Sequence, residues 1–272
     1  MYELTNPQLI YEGPAPSASA VLARPRAPLF LVHDGGGTTF SYHCLDPIRR
    51  PLWGIQNVRL HDGGWWDGGI PEMARHYVEL LAKAMPEGGD ILLGGWSLGG
   101  LLSLEMAHQI ATTAPRPKFR VLGMIWIDSV SPGRLAEVRG TGLPAESIVL
   151  TPEASADMKL RDKVDLNMTH ARMMVQTWEL PRWGKEKRGL EVPPTVLLRA
   201  KEFVGNPEKK FVDYPREFRL LGWDEYNEEH GRFIKEVVDV EGHHFSIFEM
   251  DNISEVTRKI DEAADLLDEP EF

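Results

Sequence analysis

Cysteine is almost missing. The chain holds one, Cys44, so no disulfide can close within it, and the expectation is a reducing, cytoplasmic setting. Basic residues are outnumbered, 30 Lys and Arg against 41 Asp and Glu, for a formal net charge of −11. A surface of that sign repels phosphate backbones and argues against nucleic acid as a partner. Long apolar runs are missing too. VLGMIWI (121–127) is far too short to cross a bilayer, so no membrane span is expected. The first residues, MYELTNPQLIYEG, carry neither the basic start nor the apolar core of a secretory signal. No repeat of fixed period and no low-complexity block occurs. There is no H-E-x-x-H and no Cys-x-x-Cys, so no metal site is expected. GTGLPA (140–145) has the letters of a dinucleotide-binding turn, but no strand precedes it and Pro144 interrupts it. No cofactor bound by this chain is expected.

What is present is an ordinary globular composition, 42% hydrophobic and 26% charged over 272 residues. Short, nearly continuous apolar runs read as buried strands: APLFLVH (27–33), PLWGIQN (51–57), DILLGGW (90–96), RVLGMIWID (120–128), TVLLRA (195–200) and KEVVDV (235–240). Between them lie helical patterns at 71–85, 98–112 and 253–267. This alternation predicts an α/β fold, a mostly parallel central sheet flanked by helices, as a single domain over 1–272. The alternation breaks at 132–190. There DMKLRDKVDLNMTHARMMVQTW (157–178) reads as charged, Met-rich helix, and the whole insertion as a lid. Met173, Met174, Trp178 and Trp183 favour the lid, since a plain surface segment would leave that apolar area in water, and Met173, Met174, Trp178 and Phe245 are expected to line an apolar chamber beneath it. The last stretch, DEAADLLDEPEF, reads as a solvated helix end.

One stretch carries chemistry. In LLGGWSLGGLL (92–102), Gly95-Trp96-Ser97-Leu98-Gly99 fits G-x-S-x-G between a strand and a helix. A serine at such a sharp turn presents its hydroxyl above the sheet, and the flanking glycines let neighbouring backbone pass close by. A serine hydroxyl needs a base. EGHHFSIFEM (241–250), after the last strand, supplies His243 and His244, which pattern alone does not separate. The base needs a carboxylate. Asp128 ends the strand after the serine's and is preferred, and Glu202 after TVLLRA is the rival. The oxyanion formed on attack needs amide donors. Leu98 is one candidate, and Gly35 or Gly36 in LFLVHDGGGTTFSY (29–42) is the other. A phosphate loop is excluded there because no Gly-Lys-Ser/Thr follows.

With these motifs on the page, the chain resembles the thioesterase domains that end fungal polyketide synthases and nonribosomal peptide synthetases, members of the α/β-hydrolase superfamily. The resemblance runs from about residue 27 to the end. It rests on LFLVHDGGGTTFSY, PLWGIQN, PEMARHYVELL, GGWSLGG, IDSVSPG, LLGWDEY (220–226) and GHHFSIFE. It implies that the histidine directly before the phenylalanine, His244, is the base and that Asp128 is its acid. It also implies a partner, an acyl or peptidyl carrier protein whose phosphopantetheine arm holds the substrate, and release of that chain by hydrolysis or cyclisation. Two other readings compete: a carboxylesterase of small oxygen esters with the same residues, and a non-catalytic scaffold of the same fold.

Overall fold

The predicted apolar runs form the strands of one sheet. A computed structural model describes residues 5–14, 24–112, 118–135, 146–184, 190–206 and 210–269. Its strands are β1 (Gln8–Tyr11), β2 (Leu29–Val32), β3 (Leu52–Ile55), β4 (Gly89–Trp96), β5 (Phe119–Ile127), β6 (Thr195–Glu202) and β7 (Ile234–His243), in the order β1-β3-β2-β4-β5-β6-β7. Every pairing is parallel except that of β1 with β3. The sequence reading contained no β1. QLIY is a short edge strand with Leu9 exposed, so it carries no buried run to betray it.

Side chains alternate across each strand. Met124 and Trp126 of β5 pack on one face with α2 (Gly69–Ala84) and α3 (Leu98–Thr112). Ile125 and Ile127 pack on the other with α9 (Ile253–Asp268) and α1 (Phe40–His43), whose Tyr42 belongs to the same cluster. Burial on both faces explains why these strands read as continuous apolar runs.

The C-terminal helix is not the solvated end the sequence suggests. Ala263, Ala264 and Leu267 are buried against the sheet. Its acidic edge is held by arginines from the start of the fold: Arg50, fully buried, reaches Asp265 at 2.7 Å and Asp268 at 3.1 Å, and Arg49 reaches Asp261 at 2.6 Å. The aspartates are ion-pair partners rather than a solvating fringe. Residues 270–272 lie outside the described ones.

Chain order places the site. β2 is followed by β3 on one side and flanked by β4 on the other, so the connections leave a crevice beyond the carboxyl ends of β2 and β4. Between β5 and β6 the chain leaves the sheet. It forms α4 (Pro132–Leu135), α5 (Pro152–Asp157) and α6 (Leu160–Thr177), and α6 lies over that crevice. GTGLPA (140–145) and most of the 112–118 loop fall outside the described residues. The segment between β6 and β7 adds α7 (Lys210–Asp213) and α8 (Asp224–Glu229). No helix among the described residues is long and apolar enough to cross a membrane.

Candidate active site

Ser97 sits at the turn from β4 into α3 with φ at 56°, a left-handed conformation that costs a non-glycine residue energy and is kept only where the surroundings enforce it. The enforcing contacts are visible. Ser97 donates its amide to the Ile127 carbonyl at 2.9 Å, and the Trp96 amide donates to the Tyr42 hydroxyl at 2.9 Å. Tyr42 in turn donates to the Val32 carbonyl at 2.6 Å, joining the end of β2 to the serine's turn. Gly99 is required here. A Cβ on it would collide with the Val32 carbonyl oxygen, across which α3 passes.

Asp128, just beyond β5, has the same backbone signature, φ 48°, and is fully buried. Its amide donates to the Leu198 carbonyl at 2.7 Å. The loop behind it is pinned by Trp223 of the LLGWDEY motif, whose indole donates to the Ser129 carbonyl at 2.8 Å.

The last strand delivers His244 to both. Its Nδ1 lies 2.8 Å from Asp128 Oδ2 and its Nε2 lies 3.1 Å from Ser97 Oγ. A carboxylate can only accept, so the ring proton belongs on Nδ1, and Nε2 is left to accept from the serine hydroxyl. The ring is wedged between Trp96 and Phe245, at centroid distances of 5.7 and 4.8 Å. That packing gives a physical role to the tryptophan before the serine. His243 turns elsewhere: its Nδ1 accepts the Phe245 amide at 3.2 Å. Glu202 is exposed. His33 is locked in the core, between the Asp34 carbonyl at 2.5 Å and the Tyr77 hydroxyl at 2.6 Å, and burial lowers its pKa to about 4.

Asp128 has a partner that the sequence did not reveal. Arg216 approaches it with both Nη atoms, at 3.0 Å to Oδ1 and 2.6 Å to Oδ2, and the Ala200 amide donates to Oδ1 at 2.9 Å. Burial alone would raise the carboxyl's pKa. The hydrogen bonds from His244 and Arg216 outweigh it and hold the group at about 2. YPREF offers no motif, so spacing could not have marked Arg216.

Two of the residues whose amides are oxyanion candidates line the cavity with the serine. Leu98 opens α3, and the first N–H groups of a helix have no carbonyl within it to bind. Gly35 lines the same cavity. The Gly36 amide instead donates to Asp34 Oδ1 at 3.1 Å, which leaves Gly35 as the better placed of the two glycine candidates. Asp34 is itself buried on the cavity wall, and desolvation raises its carboxyl to about 6 despite three backbone hydrogen bonds.

The cavity holds about 300 Å³. One wall is a face of α6, with Met168, Ala171, Arg172 and Val175, and Val130, Phe211 and Phe245 contribute to the rest. This corrects the predicted chamber. Met174 and Trp178 are buried in the core, Trp178 donating to Glu105 of α3 at 3.1 Å, and Met173 does not reach the cavity. Of the four residues proposed from sequence, only Phe245 lines it. The buried residues of α6 are Lys163, Asn167, His170, Ala171, Met174 and Val175, half of them polar. Asn167 donates to the Leu60 carbonyl at 3.1 Å and accepts from Asn57 at 3.0 Å. His170 donates to the Gly63 carbonyl at 2.7 Å and accepts the Ile148 amide at 3.0 Å. These bonds hold the helix so that position 168, not 173 or 174, lines the cavity.

Among the described residues no three His, Cys, Asp or Glu side chains converge to hold a metal ion. The arrangement can donate a serine proton to an imidazole, hold the resulting imidazolium against a carboxylate, and offer two amides to an oxyanion.

Comparison with known proteins gives the same direction. The thioesterase domain family matches residues 27–264. Thioesterase frbE from Dothideomycetidae sp. (strain 11243) is 40% identical over 97% of both chains. Nonribosomal peptide synthetase imqB from Aspergillus flavus is 33% identical over 88% of this chain and 8% of its own length. Among solved structures, the NocB thioesterase domain, in covalent complex with a fluorophosphonate nocardicin G analog, superposes with a TM-score of 0.59 at 23% identity. That match covers 89% of this chain and 95% of the other, and it speaks to the fold.

Proposed function

This chain belongs to the thioesterase domain family, and from that premise we propose that it releases an acyl chain held as a thioester on the phosphopantetheine arm of a carrier protein, through an ester formed on Ser97. The observation that carries the reading is the hydrogen-bonded line Ser97 Oγ, His244 Nε2, His244 Nδ1, Asp128 Oδ2, opening on a cavity of acyl size. That one curated relative is a nonribosomal peptide synthetase supports a carrier-protein partner.

His244 takes the Ser97 proton as Oγ attacks the thioester carbon. Negative charge moves to the carbonyl oxygen, where the amides of Leu98 and Gly35 meet it. Losing one such donor typically removes about 2.7–4 kcal/mol of transition-state stabilisation. The C–S bond then breaks, and the thiolate takes the proton back from His244. Asp128 holds the ring in the required tautomer throughout and stabilises its charged form. The acyl-Ser97 ester passes either to water or to a nucleophile on the acyl chain itself, with His244 again as the base. Within the predicted lid, α6 roofs the cavity and limits which acyl chains fit and how much water enters.

The direct test is to offer a carrier protein loaded with an acyl thioester beside the matched oxygen ester. Release from the carrier that exceeds ester hydrolysis, and is lost in Ser97→Ala, supports the reading. Equal or preferred cleavage of the oxygen ester overturns it. The mass of the released product separates the free acid from the ring.

A further inference from the structure

Most arginines described here are matched to a carboxylate. Arg24, Arg26, Arg49, Arg50, Arg120, Arg199, Arg216, Arg219, Arg232 and Arg258 all lie in ion pairs, as an acidic chain would lead one to expect. Arg172 is an exception in a telling place. It projects from the cavity-facing side of α6, one turn from Met168, and its guanidinium lies over the Phe211 ring at 5.0 Å from the centroid. The cavity's two carboxylates are Asp34 and Asp165. Neither forms an ion pair with Arg172, nor does any other described residue. Partial burial without a carboxylate pulls its pKa below the ordinary arginine value.

A guanidinium resting on an aromatic face keeps its N–H fork free at the edge, in the plane where a carboxylate or phosphate binds through two parallel hydrogen bonds. Thr169 and Gln176 on the same face of α6 add neutral polar groups beside it. Such a wall suits an acyl chain that carries a charged or hydrogen-bonding group, rather than a plain hydrocarbon.

We propose that Arg172 is the substrate-recognition residue of the cavity and binds an anionic group of the carrier-bound substrate. Two sources share that chemistry: a carboxylate on the acyl chain, or the phosphodiester of the phosphopantetheine arm. The proposal rests on the thioesterase reading above, since it assigns the anion to that substrate.

The test uses two matched pairs of thioesters. The first pair is an N-acetylcysteamine thioester whose acyl chain ends in a carboxylate, and its methyl-ester twin. The second is one neutral acyl group on phosphopantetheine and on pantetheine. Wild type is expected to favour the anionic member of at least one pair by about tenfold in kcat/KM, carried by KM, and the pair that responds identifies the source. Arg172→Met, which keeps the apolar stem, brings that ratio to about one, and Arg172→Lys keeps part of it. Ratios near one in wild type for both pairs, or an unchanged ratio in Arg172→Met, overturn the proposal. Calorimetric binding of non-hydrolysable amide analogues of the same pairs to Ser97→Ala reads the ratio without turnover. A preference in binding with no thioester cleavage by wild type would therefore sink the thioesterase reading while leaving anion binding at Arg172 in place, so the two failures are distinguishable.

Discussion

Arg216 grips Asp128 through both carboxylate oxygens, at 3.0 and 2.6 Å, and both side chains are fully buried. The pair makes the carboxylate's position depend on an element, the 214–217 turn, that never touches the serine. Removing one member of a buried pair leaves the other charged and uncompensated, typically at about 3–5 kcal/mol. Arg216→Met is expected to destabilise the fold by that order in urea unfolding and to lower kcat. Arg216→Lys recovers part of each, having the charge without the fork. The sign in pH follows from the depressed carboxyl. It ionises at about 2 when folded and near 3.8 otherwise, so its contribution is fully present above 3.8 and is lost as pH falls through 2. Arg216→Met therefore moves acid unfolding to higher pH.

Asp34 behaves in the opposite sense. Burial raises its carboxyl to about 6 from 3.8. Between those values the folded chain holds a proton that the unfolded chain has released, so stability falls as pH rises, with the full cost in place above 6. That cost is at most about 3 kcal/mol, as roughly two pKa steps of 1.36 kcal/mol each. Asp34→Asn removes the charge and keeps an oxygen to accept the Gly36 amide. Its melting temperature should exceed that of wild type at neutral pH, and the gain should vanish near pH 4.

The orientation of α6 separates packing from selectivity. Met174 is 1% exposed, whereas Met168 lines the cavity. Met174→Ala is expected to cost about 2–5 kcal/mol in stability while leaving the chain-length preference among acyl thioesters in place. Met168→Phe narrows the cavity and should shift that preference toward shorter chains at little cost in stability. Denaturation midpoints and kcat/KM across a chain-length series check both.

Asn167 holds the roof. With Asn167→Ala the Leu60 carbonyl loses its side-chain donor and Asn57 Nδ2 keeps only the Gly64 carbonyl at 3.4 Å, at about 1–3 kcal/mol for a buried group left unsatisfied. Faster amide hydrogen exchange in α6 and the 57–64 loop, together with a raised KM, is the expected outcome.

The parts of the fold that could be read from sequence were those with a strong local signal. β2 to β6 are apolar runs because both faces of the sheet are covered there, while β7 is a half-exposed edge strand read from its short Val-rich run, and α3 begins at Leu98 where the serine's turn ends. Ser97 was legible because its turn demands glycine, and Asp128 because it ends a buried strand. His244 needed the family resemblance, since His243 has the same local pattern. What stayed hidden depends on long-range partners. Arg216 lies 88 residues from Asp128. The rotation of α6 is set by Asn167 and His170, polar residues that hydrophobic periodicity places on the wrong face. The arginines that hold α9 come from around residue 50, so an acidic helix end looked solvated.

The central claim is that Ser97 is the nucleophile that carries the acyl group. Intact-mass measurement after mixing with a slowly released acyl thioester, followed by peptide mapping, tests it most directly. The account predicts one added acyl mass, located on the peptide containing Ser97, absent from Ser97→Ala and decaying as product appears. Turnover by Ser97→Ala at the wild-type rate, or an adduct mapped to another residue, would contradict it.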